Sequence, residues 1–549
     1  MARKRKYMGN LLKSETRRKK RKPKVKLEDL DKRSFLEELS KRKKLPWLEE
    51  SIIENNALLD LILVLKKYKI RYSFPKSVLK YVKRVSQEVS KKDIDGRVDL
   101  RDKLIFTIDG DDAKDFDDAI SLDEDRDNYI LGVHIADVSH YVKPGTPLDE
   151  EAFKRGNSTY LIDVVFPMLP FELSNGICSL NPGVDRLTMT VNMWINKKTL
   201  EVDKFEIFPS VIRSKYRLTY NYVEKVLDDP TIEKDSELAN TLSRMWRLAK
   251  LLHDKRISKG GIDFNFKESK IYLNDKGEPV EFKVYSRLKS ERLIEEFMLM
   301  ANKTVAKFLA DKGPSIFRVH EEPDYESIMN ISKIVSLFGF KLPPVEEVKS
   351  LHLQNIIMNV SQKEYEEFVN YMILRSMKQA RYDTENIGHY GLDFDYYTHF
   401  TSPIRRYTDL VVHRLLKLVL SGKKKRPKSL SLKKLKIISE HCSETERESV
   451  SAERFINKLK GIRYIKQYPS KVFDAIVSGI KEDGMFVQIL ENGIEGFVSV
   501  SDMGDNVVVD MENGRIISDK VSFSIGTKVK VRLKNYSIIK GFLDFDIVE

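Results

Sequence analysis

Residues 107–118 read TIDGDDAKDFDD and hold six aspartates in twelve positions. Like charges at that density repel, so the run is either a loop left in water or a folded segment that holds cations. Phe116 stands between the acids, and Ala119-Ile120-Ser121-Leu122 follows at once. Both features favour burial. The segment LIFTI ahead of Asp109 reads as a strand, and Gly110 permits a turn. Asp115, Asp117 and Asp118 come 6, 8 and 9 residues after Asp109. In a plain strand 115 and 117 share a face and 118 points away, so convergence of all four requires a loop and a bulge. Four converging carboxylates with no cation would have raised pKa values. A divalent cation removes that cost. Mg²⁺ takes oxygen ligands and keeps waters for a substrate phosphate. Two such ions about 4 Å apart can activate a water and stabilise the leaving oxygen of a phosphodiester. The calcium-loop pattern, with spaced acids and a closing Glu, is not met. Spacing alone leaves the solvated loop and the cation site open, and burial tips the balance to the cation.

The 549 residues allow three or four domains, and 41% hydrophobic content supplies a core. Cys178 and Cys442 cannot form a disulfide framework and read as reduced, buried thiols. No apolar run reaches the roughly 18 residues of a membrane span, and no signal peptide opens the chain. A cytoplasmic protein without membrane contact is expected. The net charge of +14 is uneven: residues 1–26 hold 13 Lys and Arg against one acid, and the rest of the chain holds 84 basic and 82 acidic residues. Such a block stays unfolded and commonly binds nucleic acid, the alternative being a solubilising tail.

Apolar spacing predicts helices over 27–70, with a break at Pro46, and over 75–92, opened by Pro75. From 104 the segments LIFTID, YILGVHIADVSHYV, LTMTVNMWIN and FEIFPSVIRS read as strands. From about 220 helices dominate, and SGKKKRPKS at 421–429 is an exposed basic loop between two of them. The last 80 residues hold five strands with turns at 482–484 and 491–493, which suits a small OB-type barrel. The expected fold class is α+β: a disordered basic arm (1–26), a short helical segment (27–94), a mixed α+β domain (95–465) and an OB barrel (466–549).

TIDGDDAKDFDDAISL, then GVHIADVSHYV, then FPMLPFELSNGICSLNPGVDRLTMTV, then HYGLDFDYYTHFTSPIRRYTDLVVHRLLK occur in this order. This series resembles the ribonuclease II / ribonuclease R family, and LSNGICSLNPGVDRL looks more like the ribonuclease R branch. The resemblance implies Mg²⁺-dependent 3′→5′ hydrolysis of single-stranded RNA with a free 3′ end, releasing nucleoside 5′-monophosphates. It assigns Asp109, Asp115, Asp117 and Asp118 to catalysis. Asp109 and Asp118 are then direct metal ligands, Asp115 contributes through water, and Asp117 is tied to the chemistry itself. Arg405 matches the family's catalytic arginine, whose planar guanidinium grips phosphate oxygens and offsets charge growing in the transition state. Arg406 points elsewhere on a helix, Thr401 and Ser402 cap the helix starting at Pro403, and His413 is structural.

The same resemblance makes Tyr160, eight residues before Met168, an active-site tyrosine. Tyr220 becomes a second base-contacting one, with Tyr222 as the alternative two residues on. An aromatic face stacks on any base. Of the adjacent Glu295 and Glu296, Glu296 is favoured as the acceptor from a 2′-hydroxyl, and Glu453 matches another glutamate of the cleft. The barrel resembles S1-type RNA-binding domains. Phe473 and Phe486 stand at its base-stacking positions or else in its core, while Lys471, Lys528, Lys530 and Arg532 track the backbone. The family usually carries two cold-shock-type barrels ahead of the catalytic domain, and about 75 mostly helical or disordered residues are expected here instead. A monomer is expected. The alternatives are a processing enzyme that trims one structured RNA, or a non-catalytic RNA-binding protein.

Overall fold

The computed structural model describes residues 26–548 apart from 28, 29, 43, 265, 267, 364, 424, 505, 506, 512, 513 and 518–521. The basic arm thus lies outside the described residues, except for Lys26. Nine strands come first: β1 (Val98–Asp99), β2 (Phe106–Asp109), β3 (Asp118–Glu124), β4 (Asn128–Ala136), β5 (Thr159–Leu161), β6 (Val164–Phe166), β7 (Asp185–Asn196), β8 (Val202–Arg213) and β9 (Tyr216–Thr219). All but β5 and β6 form one sheet in the order β1-β8-β7-β4-β3-β2-β9. Its centre is antiparallel: β4 pairs with β7 from Asn128–Asn196 to Ala136–Thr188. Its two edge strands are parallel to their neighbours, with Thr107 opposite Arg217 at one edge. Leu131, Val133 and Ile135 of β4 and Met189, Val191 and Met193 of β7 are fully buried. Helix Lys289–Ala310 lies over this face, where Thr304 Oγ1 donates to Met193 Sδ at 3.3 Å.

The strand expected over 129–142 ends at Ala136, and Val138–Tyr141 turns as a short helix. At Asp137 the backbone leaves the extended region (φ −80°, ψ 64°), and its carboxylate is taken by Arg97 and Lys417. The helix expected from Pro403 begins at Tyr407, with Arg406 at the cap and no side-chain cap bond. Ser402 instead donates its N–H to Asp409 Oδ1 at 2.8 Å, which holds 402–406 as a turn.

One hairpin and one short strand pair complete the α+β part: β10 (Glu268–Leu273) with β11 (Pro279–Tyr285), and β12 (Phe317–Val319) with β13 (Arg381–Asp383). Helix Leu432–Lys466, 35 residues long, spans roughly 50 Å and runs into the C-terminal barrel. There β14 (Val472–Lys481), β15 (Gly484–Ile489), β16 (Glu495–Ser499), β20 (Lys528–Ser537) and β21 (Phe542–Val548) close on one another. Between β16 and β20 the chain adds a small sheet of β17 (Val508–Asp510), β18 (Arg515–Ile517) and β19 (Ser522–Ser524).

The N-terminal helices Lys32–Lys41, Glu50–Glu54 and Asp60–Lys67 are not a separate unit. Phe35, Leu39, Leu59 and Ile62 share one apolar core with Ile456 and Leu459 of the long helix and with Val487 and Phe545 of the barrel. At its centre the buried Asp60 accepts from Lys460 Nζ and from Arg463 Nε and Nη2, each at 2.8 Å. The amphipathic stretch after Pro75 is helical over Lys76–Val82 and again only from Lys91, and its Val78 and Val82 join the core of the large sheet instead.

Candidate active site

Strands β2 and β3 are antiparallel neighbours with Phe106 opposite Ile120, so Asp109 and Asp118 meet at the same end of the sheet. The loop between them is held from two sides. Ser179 Oγ accepts from Phe116 N at 3.0 Å and donates to Lys114 O at 2.8 Å, and Leu180 N donates to Phe116 O at 3.0 Å. On the other side Arg217 Nη2 donates to the carbonyl oxygens of Gly110 and Asp111, both at 2.8 Å, with its guanidinium 5.5 Å from the Phe116 ring centre. These bonds fix the loop between the two strands, and with it Asp115 and Asp117 beside Asp109 and Asp118. Ser179 and Arg217 were not singled out from the sequence. Both lie within or beside the motif segments, but their roles appear only once distant strands pair.

Asp117 is buried, and its Oδ1 accepts from Ile404 N at 2.8 Å. That bond ties the acidic loop to the Arg405 segment. Arg405 is exposed at the site; its Nη2 donates to Ser402 Oγ at 3.3 Å and its carbonyl oxygen accepts from Ser158 N at 2.9 Å. Arg406 turns the other way and pairs with the buried Asp409 at 2.9 Å. His413 is buried, with Nε2 at 2.9 Å from Phe400 O and its ring stacked on Phe400.

Burial pushes the carboxyls of Asp109, Asp115, Asp117 and Asp118 above the ordinary carboxylate range. At Asp109 the charge of Asp118 adds to this; at the other three Arg405 offsets part of it. Asp109 Oδ2 is buried with no hydrogen-bond partner. An orphaned carboxylate oxygen among mutually repelling carboxylates, with oxygen donors only, fits a hard divalent cation. Among the described residues no three His, Cys, Asp or Glu side chains close into a ready-made metal cage, so these four stand within Coulombic reach of one another without converging on one point.

Tyr160 lies on β5, and its hydroxyl donates to Asp115 Oδ2 at a long 3.5 Å. With Arg405, Glu446, Ser449 and Glu453 it lines a cavity of about 180 Å³, which brings three of the expected residues together. Tyr220 opens helix Tyr220–Asp228, close enough to Asp118 and Asp109 to feel their charge. Tyr222 points away and donates to Glu233 at 2.8 Å. Two expectations need correction. Glu296 is 2% exposed and paired with Arg256 at 2.6 Å and His253 at 3.1 Å, so it is a structural anion; its neighbour Glu295 keeps a 37% exposed side chain. Phe473 is 1% exposed in the barrel interior, so it cannot stack on a base.

Phe486 remains half-buried, edge-on to Phe497 at 5.2 Å, with Lys481 Nζ 4.8 Å from its ring centre. It lines a cleft of about 840 Å³ that shares Tyr371, Arg454, Ser478 and Glu495 with a second cleft of about 1070 Å³ between barrel and catalytic domain. Lys528, Lys530 and Arg532 lie on the outer face of β20, and Lys471 pairs with Glu491 at 2.8 Å.

Residues 97–422 match the RNB domain model and residues 468–537 the S1 RNA binding domain model. The chain is 43% identical over 485 residues to ribonuclease R of Thermotoga maritima, covering 87% of this chain and 68% of that one. It is 39% identical to ribonuclease R 1 of Lactococcus lactis, covering 89% and 61%. The chain thus spans about two thirds of the length of these relatives. Among solved structures, Mycoplasma genitalium RNase R in complex with ribose-methylated single-stranded RNA superposes with a TM-score of 0.86 at 26% identity, covering 90% of this chain and 78% of that one.

Proposed function

The chain belongs to the ribonuclease R family of RNB-domain 3′→5′ exoribonucleases, and from that premise we propose that Asp109, Asp115 and Asp118 hold a divalent cation, Mg²⁺ by the hardness of their oxygens. RNA is hydrolysed from its 3′ end. Such a cation supplies the positive charge that activates a water and stabilises the leaving oxygen of a phosphodiester.

The chain's own residues do the rest. Asp117 is held by Ile404 N, which fixes the orientation of its carboxylate for the chemical step. Arg405 offers its guanidinium to the phosphate oxygens, where preorganised charge acts most strongly in a dry site. Tyr160 and Tyr220 flank the carboxylates and present ring faces to the terminal bases, a contact indifferent to sequence. Glu453 reaches the same cavity, and Phe486 with the basic side chains Arg454, Lys458 and Lys481 supports passage of the strand along the two clefts. No helix among the described residues is long and apolar enough to cross a membrane.

The observation that carries the reading is the orphaned Asp109 oxygen among four carboxylates, Asp117 buried and the other three half-buried, beside one exposed arginine. Asp117→Asn should leave binding of a single-stranded oligonucleotide within about twofold and abolish release of nucleotides from its 3′ end. Retained hydrolysis by the purified variant would sink the assignment.

A further inference from the structure

Tyr160 sits one residue before a turn that its own sequence does not favour. Strands β5 and β6 pair Thr159 with Phe166, Tyr160 with Val165 and Leu161 with Val164. The connection is therefore the two residues Ile162 and Asp163. Ile162 has φ +57°. Hairpin turns with positive φ at the first central position take glycine there, and a β-branched residue in this region is strained. Such a conformation persists only where the surroundings over-determine it.

Those surroundings come from the long helix Leu432–Lys466, whose Ser449 bonds Thr159 at 2.9 Å, and, at the turn itself, from the N-terminal segment. Leu161 is 2% exposed, and Ile162 and Val164 pack against the same core as the N-terminal helices and the barrel. Phe35 and Leu36 of the first helix and Leu58 and Leu61 of the following turns meet Leu161, Ile162 and Val164 around one small void of about 30 Å³. Lys32 Nζ donates to the Asp163 carboxylate. Alternation along β5 then sends Tyr160 to the opposite face, where it is exposed and turned toward Asp115 and Arg405. The β2–β3 loop supplies Asp115 and the turn before helix Tyr407–Leu420 supplies Arg405, but the far face of the Tyr160 hairpin rests on helices outside the sheet.

We propose that the N-terminal helical segment is the positioning element of the active-site tyrosine: Lys32, Phe35, Leu36 and Leu58 clamp the strained turn and thereby fix where Tyr160 stands. This rests on the role given to Tyr160 above. Tyr160 touches substrate, whereas the clamp acts through it. Because the same apolar core continues into the barrel, the clamp also links the barrel's seating to the tyrosine.

The test uses the full-length chain with 3-fluorotyrosine placed at position 160 and read by ¹⁹F NMR. The parent should give one sharp resonance. Ile162→Asn keeps a residue tolerant of positive φ but removes the apolar anchor, and Phe35→Ala removes the helix side of the contact. Either should broaden or split the signal. Glu37→Ala, whose partner is Lys41 on the solvent face, should not. Kinetics on single-stranded RNA should show about a tenfold loss in kcat for Ile162→Asn with KM little changed, since misplacement of a positioning group falls on the chemical step. In a Tyr160→Ala background the same substitution should cost nothing further. An unperturbed ¹⁹F signal, or equal losses in both backgrounds, overturns the proposal. If the signal responds while Tyr160→Ala cleaves like the parent, the clamp stands and the role of Tyr160 falls. Should Phe35→Ala fail to fold, Ile162→Asn and Lys32→Gln carry the same readouts.

Discussion

One buried carboxylate and a quartet of carboxylates lie side by side where β3 begins and β4 ends, and they are treated in opposite ways. Asp137 is 1% exposed, yet Arg97 reaches it at 2.7 Å, Lys417 at 2.6 Å and Ser139 Oγ at 2.9 Å. Burial by itself would raise its pKa; the two cations overcome this and hold it well below the usual range. One residue away, Ala136 N donates to Asp117 O at 2.8 Å, and there begins the quartet of Asp109, Asp115, Asp117 and Asp118, whose pKa values rise. The first site is neutralised by the chain itself and serves the fold. The second is left short of cations and serves chemistry. A buried charge is informative chiefly through what opposes it.

The comparison breaks most easily at Asp137. Removing one partner of a buried, hydrogen-bonded charge cluster leaves the others uncompensated and costs about 3–5 kcal/mol. Asp137→Ala should therefore lower the unfolding free energy by that amount, read in a urea titration. The sign of the pH dependence follows from the depressed pKa: this stabilisation is fully present above the unfolded carboxylate value of about 3.9 and is lost as pH falls through the folded value. The variant's acid limb should be correspondingly shallower than the parent's. An unchanged limb would mean the cluster is not the anchor the geometry describes.

The quartet should answer to Mg²⁺ instead. A ligand at about 100 times its Kd stabilises the state that binds it by about 2.7 kcal/mol. Adding Mg²⁺ to EDTA-treated protein should raise its melting temperature, and Asp109→Asn combined with Asp118→Asn should remove the response. A double variant that still responds would place the cation elsewhere.

How far this contrast could be read from the sequence follows from the range of the interactions. The strand before Asp109, the turn at Gly110 and the buried AISL stretch are local, and the alternation of β4 and β7 gave the sheet's core correctly. Asp117 and Asp137 look alike in sequence, because their difference lies in Lys417, Arg97 and Arg405, which arrive from hundreds of residues away or across the sheet. Glu295 and Glu296 show the same limit: periodicity separates their directions but cannot tell which one finds Arg256 and His253. Phe473 and Phe486 were both open to a surface or a core position, and barrel closure buried only the first. The N-terminal helices were legible as helices, while their seat against the barrel and the Tyr160 hairpin was not, since it depends on Asp60 meeting Lys460 and Arg463.

A smaller effect has the opposite sign to that at Asp137. In EDTA, the raised pKa values of Asp109 and Asp118 mean that ionisation costs stability. The cost is present at high pH and is relieved as pH falls through the folded values toward the ordinary carboxylate range near 4. Metal-free parent protein should therefore gain stability over that interval. Asp118→Asn should remove part of the pH dependence and raise metal-free stability near neutral pH by about 1 kcal/mol. Differential scanning calorimetry at matched ionic strength reads both, and a variant less stable than the parent in EDTA would contradict the repulsion.

The least effect is expected at the two aspartates that belong to neither set. Asp111 and Asp112 are exposed, no cation of the chain pairs with them among the ion pairs of the described residues, and the Asp111 carboxylate accepts from Asn221 Nδ2 at 2.5 Å. Their backbone matters more than their charge, because Arg217 holds the Asp111 carbonyl oxygen rather than its side chain. Asp111→Asn with Asp112→Asn keeps both main chains and an amide at each position. Cleavage of single-stranded RNA should stay within about twofold of the parent, and the Mg²⁺ concentration for half-maximal rate should not move. A large shift in that concentration would draw these two residues into the metal site and merge the solvated part of the acidic run with its catalytic part.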